Sequence, residues 1–338
     1  MLASGPLPCW AEGMTDVLIL GGTGWVSGRI AQRWLDAGAA VTCLARGGRP
    51  APAGVRLVVA DRDEAGAYDE CLDREWDEIV DVSSHPRHVD EAVRALDARA
   101  VHWSYVSSVS VYADADHPGA DESAALAEPA EDGSPEDYAR AKSAAERAVS
   151  RLGERAAISR PGLIVGPGDP TDRFGYWPAR FAQAGEDAVL VPAPDGQSAQ
   201  VIDVDDLADF VVAAAARGWR GVVNAIAPTA PLAEVLGTVR EVAGHRGPLV
   251  AAEPGWLADQ GVAHWAGPRS LPLWLPSDVP GFATRDGRAY RAAGGRIRPL
   301  AETVERVVAD ERRRGLDRPR RAGLTRYEES ALLAALAR

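Results

Sequence analysis

The chain has 338 residues, 46% of them apolar and 25% charged, and a formal net charge of −12. That length and composition suit one large globular domain, or a domain with a smaller lobe attached. The acidic balance argues against nucleic acid as a main partner, because phosphate binding needs a basic face. No stretch approaches the roughly 18 to 20 consecutive apolar residues of a membrane helix, so no membrane partner is expected.

Residues 1–13 contain Gly5, Pro6 and Pro8, with neither a basic start nor a long apolar run. They read as a disordered extension ahead of Met14. From Asp16 onward, short apolar runs alternate with amphipathic stretches of helical length. Val17–Leu20, Val41–Ala45, Leu57–Ala60, Ile79–Val82, Tyr105–Ser107 and Ala157–Ser159 are predicted strands, and 25–37, 88–99 and 138–152 predicted helices. Such alternation predicts an α/β fold, a doubly wound parallel sheet whose ligands lie past the carboxyl ends of the strands.

The first strand runs straight into Gly21-Gly22-Thr23-Gly24-Trp25-Val26-Ser27-Gly28, and a helix follows. Glycines there allow close backbone approach, and a helix N-terminus supplies N–H donors and a favourable dipole for a pyrophosphate. Gly21, Thr23, Gly24, Trp25 and Val26 are therefore expected to bind a dinucleotide on a Rossmann-type sheet. Ser27 stands where a third glycine is usual, with Gly28 one place later. The second strand ends at Ala45-Arg46, where an NAD site would carry an acid for the ribose 2′-hydroxyl. A cation at Arg46 suits a 2′-phosphate instead, which predicts NADP over NAD. Asp61 is placed to meet the adenine amine, with Arg62 against the ring.

Ser134-Pro135-Glu136-Asp137 reads as a helix start, with Ser134 as cap. Tyr138 and Lys142 then share one helix face, four residues apart. Tyrosine is a poor base near neutral pH unless a cation stabilises its phenolate. Lys142 is the one lysine among 37 Lys and Arg residues. A compact ammonium can bond both ribose hydroxyls where a planar guanidinium would not fit. These two residues are the expected proton-transfer pair, Lys142 also holding cofactor.

The Gly-, Pro- and aromatic-rich stretches at 166–200 and 249–285 are predicted to be irregular, flanking a clearer helix and strand at 205–226. The expected division is a dinucleotide-binding domain over 14–165, rejoined by 201–228, then a substrate lobe from 166–200 and 229–300. Residues 301–338 form a helical tail, and 113–136 a mobile loop. Arg173 and Trp177 fall where the lobe begins and are candidate substrate contacts, a planar cation beside aromatics suiting a phosphate, a carboxylate or a ring. The basic run from Arg312 to Arg321 reads as a charged helix end and loop. Cys9, Cys43 and Cys71 form no CxxC pair, which suits a reducing cytosol and neither disulfides nor zinc. His85 and His88 read as loop residues, with no spacing that suggests a metal.

Taken together, these motifs resemble the extended short-chain dehydrogenase/reductase family, of the NAD-dependent epimerase/dehydratase type, over about residues 15 to 305. The resemblance implies a catalytic Ser four residues before the Tyr of a Val-Tyr pair. Here that Tyr is Tyr112, which selects Ser108 to hold the substrate oxygen against the Tyr138 hydroxyl. It also matches Arg160-Pro161-Gly162, placing Pro161 at the cofactor, and Asp203-Val204-Asp205-Asp206-Leu207-Ala208. Ser83-Ser84-His85-Pro86 departs from the Ala-Ala usual after the fourth strand, with Ser83 near the nicotinamide. The implied activity is hydride transfer at a carbonyl or carbinol carbon of a small polar substrate, as a reductase. A sugar-nucleotide epimerase or dehydratase with tightly held NAD is the alternative. A dinucleotide-sensing or RNA-associated binding protein is the alternative of another class. The resemblance allows a cytoplasmic homodimer built through two helices.

Overall fold

The computed structural model describes residues 15–131, 134–194 and 196–338. The extension expected at residues 1–13, Cys9 included, lies outside them.

Seven strands form the central sheet, all parallel: β1 (Asp16–Leu20), β2 (Ala40–Ala45), β3 (Arg56–Val59), β4 (Trp76–Asp81), β5 (Ala100–Val106), β6 (Ala156–Pro161) and, after shorter strands, β11 (Gly221–Ala225). Their order across the sheet is β11-β6-β5-β4-β1-β2-β3, so the chain reverses direction between β1 and β4. A crevice opens beyond the strand ends at such a switch point. The inner strands β1, β2, β4 and β6 are largely buried on both faces, which is why they read as apolar runs without alternation.

Helices α1 (Trp25–Asp36) and α5 (Val204–Ala216) pack together on one face. Ile30, Ala31, Trp34, Leu207 and Val211 fill the layer between them and the sheet. Helices α2 (Pro86–Leu96) and α3 (Tyr138–Val149) cover the other face through Val89, Val93, Ala145 and Val149. Helix α3 starts later than its Ser134-Pro135 signal predicts. Asp137 is the cap, accepting from the Arg140 N–H at 3.1 Å, while Ser134 Oγ accepts from Glu136 N–H.

The smaller lobe is built from β7 (Leu163–Val165), α4 (Arg173–Ala184), β8 (Val189–Pro192), β9 (Ser198–Ala199), β10 (Val201–Asp203), β12 (Ala230–Pro231), α6 (Leu232–Ala243), β13 (Leu249–Ala252) and α7 (Pro254–Asp259). Beyond them come β14 (Ala263–His264), β15 (Ser270–Leu271) and the short α8 (Arg288–Ala292), which packs on β11, followed by α9 (Leu300–Arg314) and α10 (Arg326–Leu336). Residues 173–184 were expected to be irregular and are a regular helix. Nearly every side chain there is buried, so no polar face marks it, and Pro178 stands inside it. The helices of the expected C-terminal tail belong to the lobe core, through Val304, Val307, Val308 and Leu332.

Two polar devices join lobe and sheet. Asp203 caps α5 and takes Thr303 Oγ1 at 2.7 Å and Arg306, while Asp206 takes Arg298. The basic run is paired as well: Arg313 with Asp310, and Arg314 and Arg318 with Asp172 and Glu311. The stretch after Tyr112, expected to be mobile, is pinned. Gly119 N–H donates to the Thr284 carbonyl at 2.7 Å, and Ala113 N–H to Ala125.

Candidate active site

The glycine loop is held by its own serine. Gly21 has φ +77°, and a Cβ on Gly22 would overlap the Cys43 sulfur on β2. The Ser27 hydroxyl donates to the Gly21 carbonyl at 2.7 Å and accepts from the Gly24 N–H at 3.1 Å. The missing glycine is thus replaced by a buried staple between loop and helix. Helix α1 has no acidic residue in its first turn, which leaves its N-terminal dipole open to an anion. Trp25 anchors the loop sideways, its indole N–H donating to the Pro167 carbonyl at 2.9 Å. Val26 follows it as the second residue of α1. Burial pushes the Cys43 thiol up to about 12 and the Cys71 thiol up to about 11, so both are inert packing groups.

A cavity of about 570 Å³ runs from this loop along the ends of β1, β2, β3 and β4. Gly21, Thr23 and Gly24 form one wall, Arg46 and Arg49 the mouth beyond β2, Asp61 the far wall, and Ser83 the end beyond β4. Arg49 was not foreseen, since only its fold over the cavity distinguishes it from any loop arginine. Asp61 Oδ1 accepts from the Asp63 N–H at 3.1 Å. Arg62 reaches the cavity but is not free to lie on a ring, which corrects the expectation for it. Its guanidinium makes a paired contact with Asp81 at 3.1 and 2.7 Å and also meets Tyr68 and the His88 carbonyl. The buried Asp81 carboxylate needs that counter-charge.

At the rim, His85 and His88 stack with centroids 4.3 Å apart, and His88 Nε2 lies 2.9 Å from Asp63 Oδ1. Asp63, His85 and His88 could together hold a metal ion, a grouping hidden from the sequence because Asp63 comes from the turn after β3 and the histidines from beyond β4. Arg87 already binds that same carboxylate oxygen.

Tyr138 opens α3 and is 46% exposed. Ser108 lies two residues beyond β5 and caps the turn at Val109–Val111, which packs against α3. The Ser108 hydroxyl accepts from the Ser110 N–H at 3.1 Å. Lys142 sits deeper, only 2% exposed. Its ammonium donates to the carbonyls of Ser83 at 3.0 Å and Val106 at 2.8 Å, and to the Tyr105 hydroxyl at 3.1 Å. Three protons meet three acceptors, so the ammonium is not turned towards a ribose, as the sequence predicts it to be. Tyr105 causes the difference: its phenol, kept neutral because burial pushes its pKa far up, fills the space beside the ammonium and itself donates to Ser83 at 2.9 Å. Burial also pulls the Lys142 pKa down to about 8, against the opposing pull of Asp81 and Glu146.

Beneath Ser108, Arg160 binds Glu146 through two nitrogens at 2.9 and 2.7 Å and donates to the Tyr112 hydroxyl at 3.0 Å. Tyr112 in turn donates to Asn224. This network fixes β6 and its last residue, Pro161, against α3 and β11. Trp177 is not a substrate contact. It is fully buried in the lobe core, its indole N–H donating to the Pro272 carbonyl at 2.7 Å. Arg173 lies over the ring of Trp265 at 5.2 Å.

A doubly wound parallel sheet with a glycine loop at its switch point is a Rossmann-type, dinucleotide-binding architecture. Residues 84–226, under half of the chain, match the model of the NAD dependent epimerase/dehydratase family. The glycine loop lies outside the matched segment and rests on its own geometry. No curated protein matches the sequence. Among solved structures, a protein of Burkholderia cenocepacia J2315 is similar at TM-score 0.70 and 21% identity, covering 90% of this chain and 100% of that one. WbmH of Bordetella bronchiseptica, solved with NAD+, is similar at 0.67 and 18%, covering 89% and 99%. UDP-glucose 4-epimerase of Thermotoga maritima, solved with UDP-glucose, is similar at 0.67 and 12%, covering 89% and 99%. At these identities the likeness shows the fold. No helix among the described residues is long and apolar enough to cross a membrane.

Proposed function

We propose that the protein is an NADPH-dependent reductase acting on the carbonyl of a small polar compound. The observation that carries this reading is the mouth of the cavity. Beyond β2, Ala45 replaces an acid, and Arg46 and Arg49 line the place a 2′-phosphate would occupy. The residues present fit a dinucleotide: Gly21 takes φ +77°, Gly22 lets the loop lie tight against Cys43 of β2, and the N-terminus of α1 is open to a pyrophosphate.

When bound, the nicotinamide supplies the hydride. The protein's part is orientation and the proton. Ser108 donates to the substrate oxygen, and the Tyr138 hydroxyl gives its proton to that oxygen as the carbonyl becomes an alcohol. Lys142 places a positive charge beneath the site and ties β4, β5 and α3 into one frame. The NAD complexes among structures of this fold favour a second reading, an epimerase or dehydratase cycle with tightly held NAD. That reading lacks an acid beyond β2.

The test follows NADPH absorbance over a panel of aldehydes and ketones. Wild type is expected to oxidise NADPH with at least one, and Tyr138→Phe to lose about 10²- to 10⁴-fold in rate while binding NADPH as before. Unchanged turnover in that variant, or no oxidation with any carbonyl compound, contradicts the reading.

A further inference from the structure

The buried arginines Arg62, Arg160 and Arg180 each lie against a carboxylate, respectively Asp81, Glu146 and Glu329. Arg285, also buried, lies over the Tyr112 ring and donates to the Asp114 carbonyl. Arg173 is different. It is the first residue of α4, and its guanidinium lies over the Trp265 ring. Nε meets only the Thr171 hydroxyl at 3.3 Å, and neither Nη atom has a protein partner among the described residues.

The acids nearest in sequence are engaged elsewhere. Asp172 turns away to Arg318 and the Arg321 N–H, and Asp169 holds the Thr171 N–H at 2.8 Å and its hydroxyl at 2.9 Å. Burial pulls the guanidinium's pKa below its ordinary value, and the charges that support it are those of Asp169 and Tyr138. A cation kept partly from water, without a carboxylate of its own, is costly unless a ligand completes it. The guanidinium lies over Trp265, which itself has φ +65°. It lines an apolar crevice with Val109, which follows Ser108, and with Leu273 and Phe282.

We propose that Arg173 binds a carboxylate of the substrate, so that the compound carries an anionic group besides its reacting carbonyl. One guanidinium carries one charge, and its flat fork matches a single carboxylate in a paired contact. Arg173 is thus a specificity-determining residue, and its role as stated rests on the carbonyl reading of the site.

The test measures binding to the NADP+-saturated protein by calorimetry, with 4-carboxybenzaldehyde and benzaldehyde as probes. Wild type is expected to bind the carboxylated probe at least about tenfold more tightly. Arg173→Met should remove that preference while still binding NADP+, and Arg173→Lys should restore part of it. Equal affinity for the two probes, no binding of either, or a preference that survives in Arg173→Met overturns the proposal. Binding is read without turnover. A protein that prefers the carboxylated probe but never oxidises NADPH sinks the reductase reading alone, whereas turnover without that preference sinks only the role of Arg173.

Discussion

At the scale of single residues, the site depends on side chains whose hydrogen bonds leave them one orientation. Ser27 is the clearest case. Its hydroxyl bridges the Gly21 carbonyl and the Gly24 N–H, so a loop built for closeness to an anion is also rigid. Ser27→Gly, which restores the more usual glycine, should lower stability by about 1–2 kcal/mol through the lost hydrogen bonds. Urea denaturation checks this, and a variant as stable as wild type would remove the staple from the account. The glycine loop and the helix that begins at Tyr138 were legible in the sequence because each is a short local motif. The surroundings of Arg49, Tyr105 and Trp265 were not, since distant segments bring their neighbours beside them. Lys142 shows the limit of motif reading: its identity and position were legible, but the tyrosine at 105 decides where the ammonium points.

At the scale of elements, the six predicted strands are present because buried parallel strands leave continuous apolar runs. Helix α4 was missed because it is buried on all sides and shows no polar face. Between neighbouring strands β4 and β5 lies a pair that ties register to pH. Glu78 stands opposite His102, whose Nδ1 meets the Glu78 carboxylate at 2.5 Å and whose Nε2 meets the Trp219 carbonyl at 2.8 Å. Burial works against the charged ring, but the Glu78 hydrogen bond and charge prevail and raise the His102 pKa. A raised pKa in the folded state contributes stability that is full below the unfolded value of about 6.5 and is lost as pH rises through the folded value. Wild type should therefore lose stability, relative to His102→Gln, as the pH is raised from 6 towards 9. Parallel urea midpoints for the two proteins across that range would contradict this reading of the pair.

At the scale of the whole molecule, the sheet supplies the glycine loop and the mouth arginines of the cavity, α3 and the turn after β5 carry Tyr138 and Ser108, and the lobe carries Arg173 beside Trp265. Ion pairs from α5 to α9 hold the lobe over the strand ends, through Asp203, Asp205 and Asp206 with Arg298 and Arg306. The doubly wound parallel sheet followed from strand-helix alternation, whereas its strand order comes from the structure. The lobe's internal arrangement did not, because its two-residue strands and aromatic core carry no period. The central claim is that this cleft is built for a 2′-phosphorylated dinucleotide, and titration of the protein with NADPH and NADH, read through its ten tryptophans, tests it most directly. The account predicts tighter NADPH binding, with the preference lost when Arg46 and Arg49 are both replaced by alanine. Tighter NADH binding, or protein purified with NAD already in place, would contradict it.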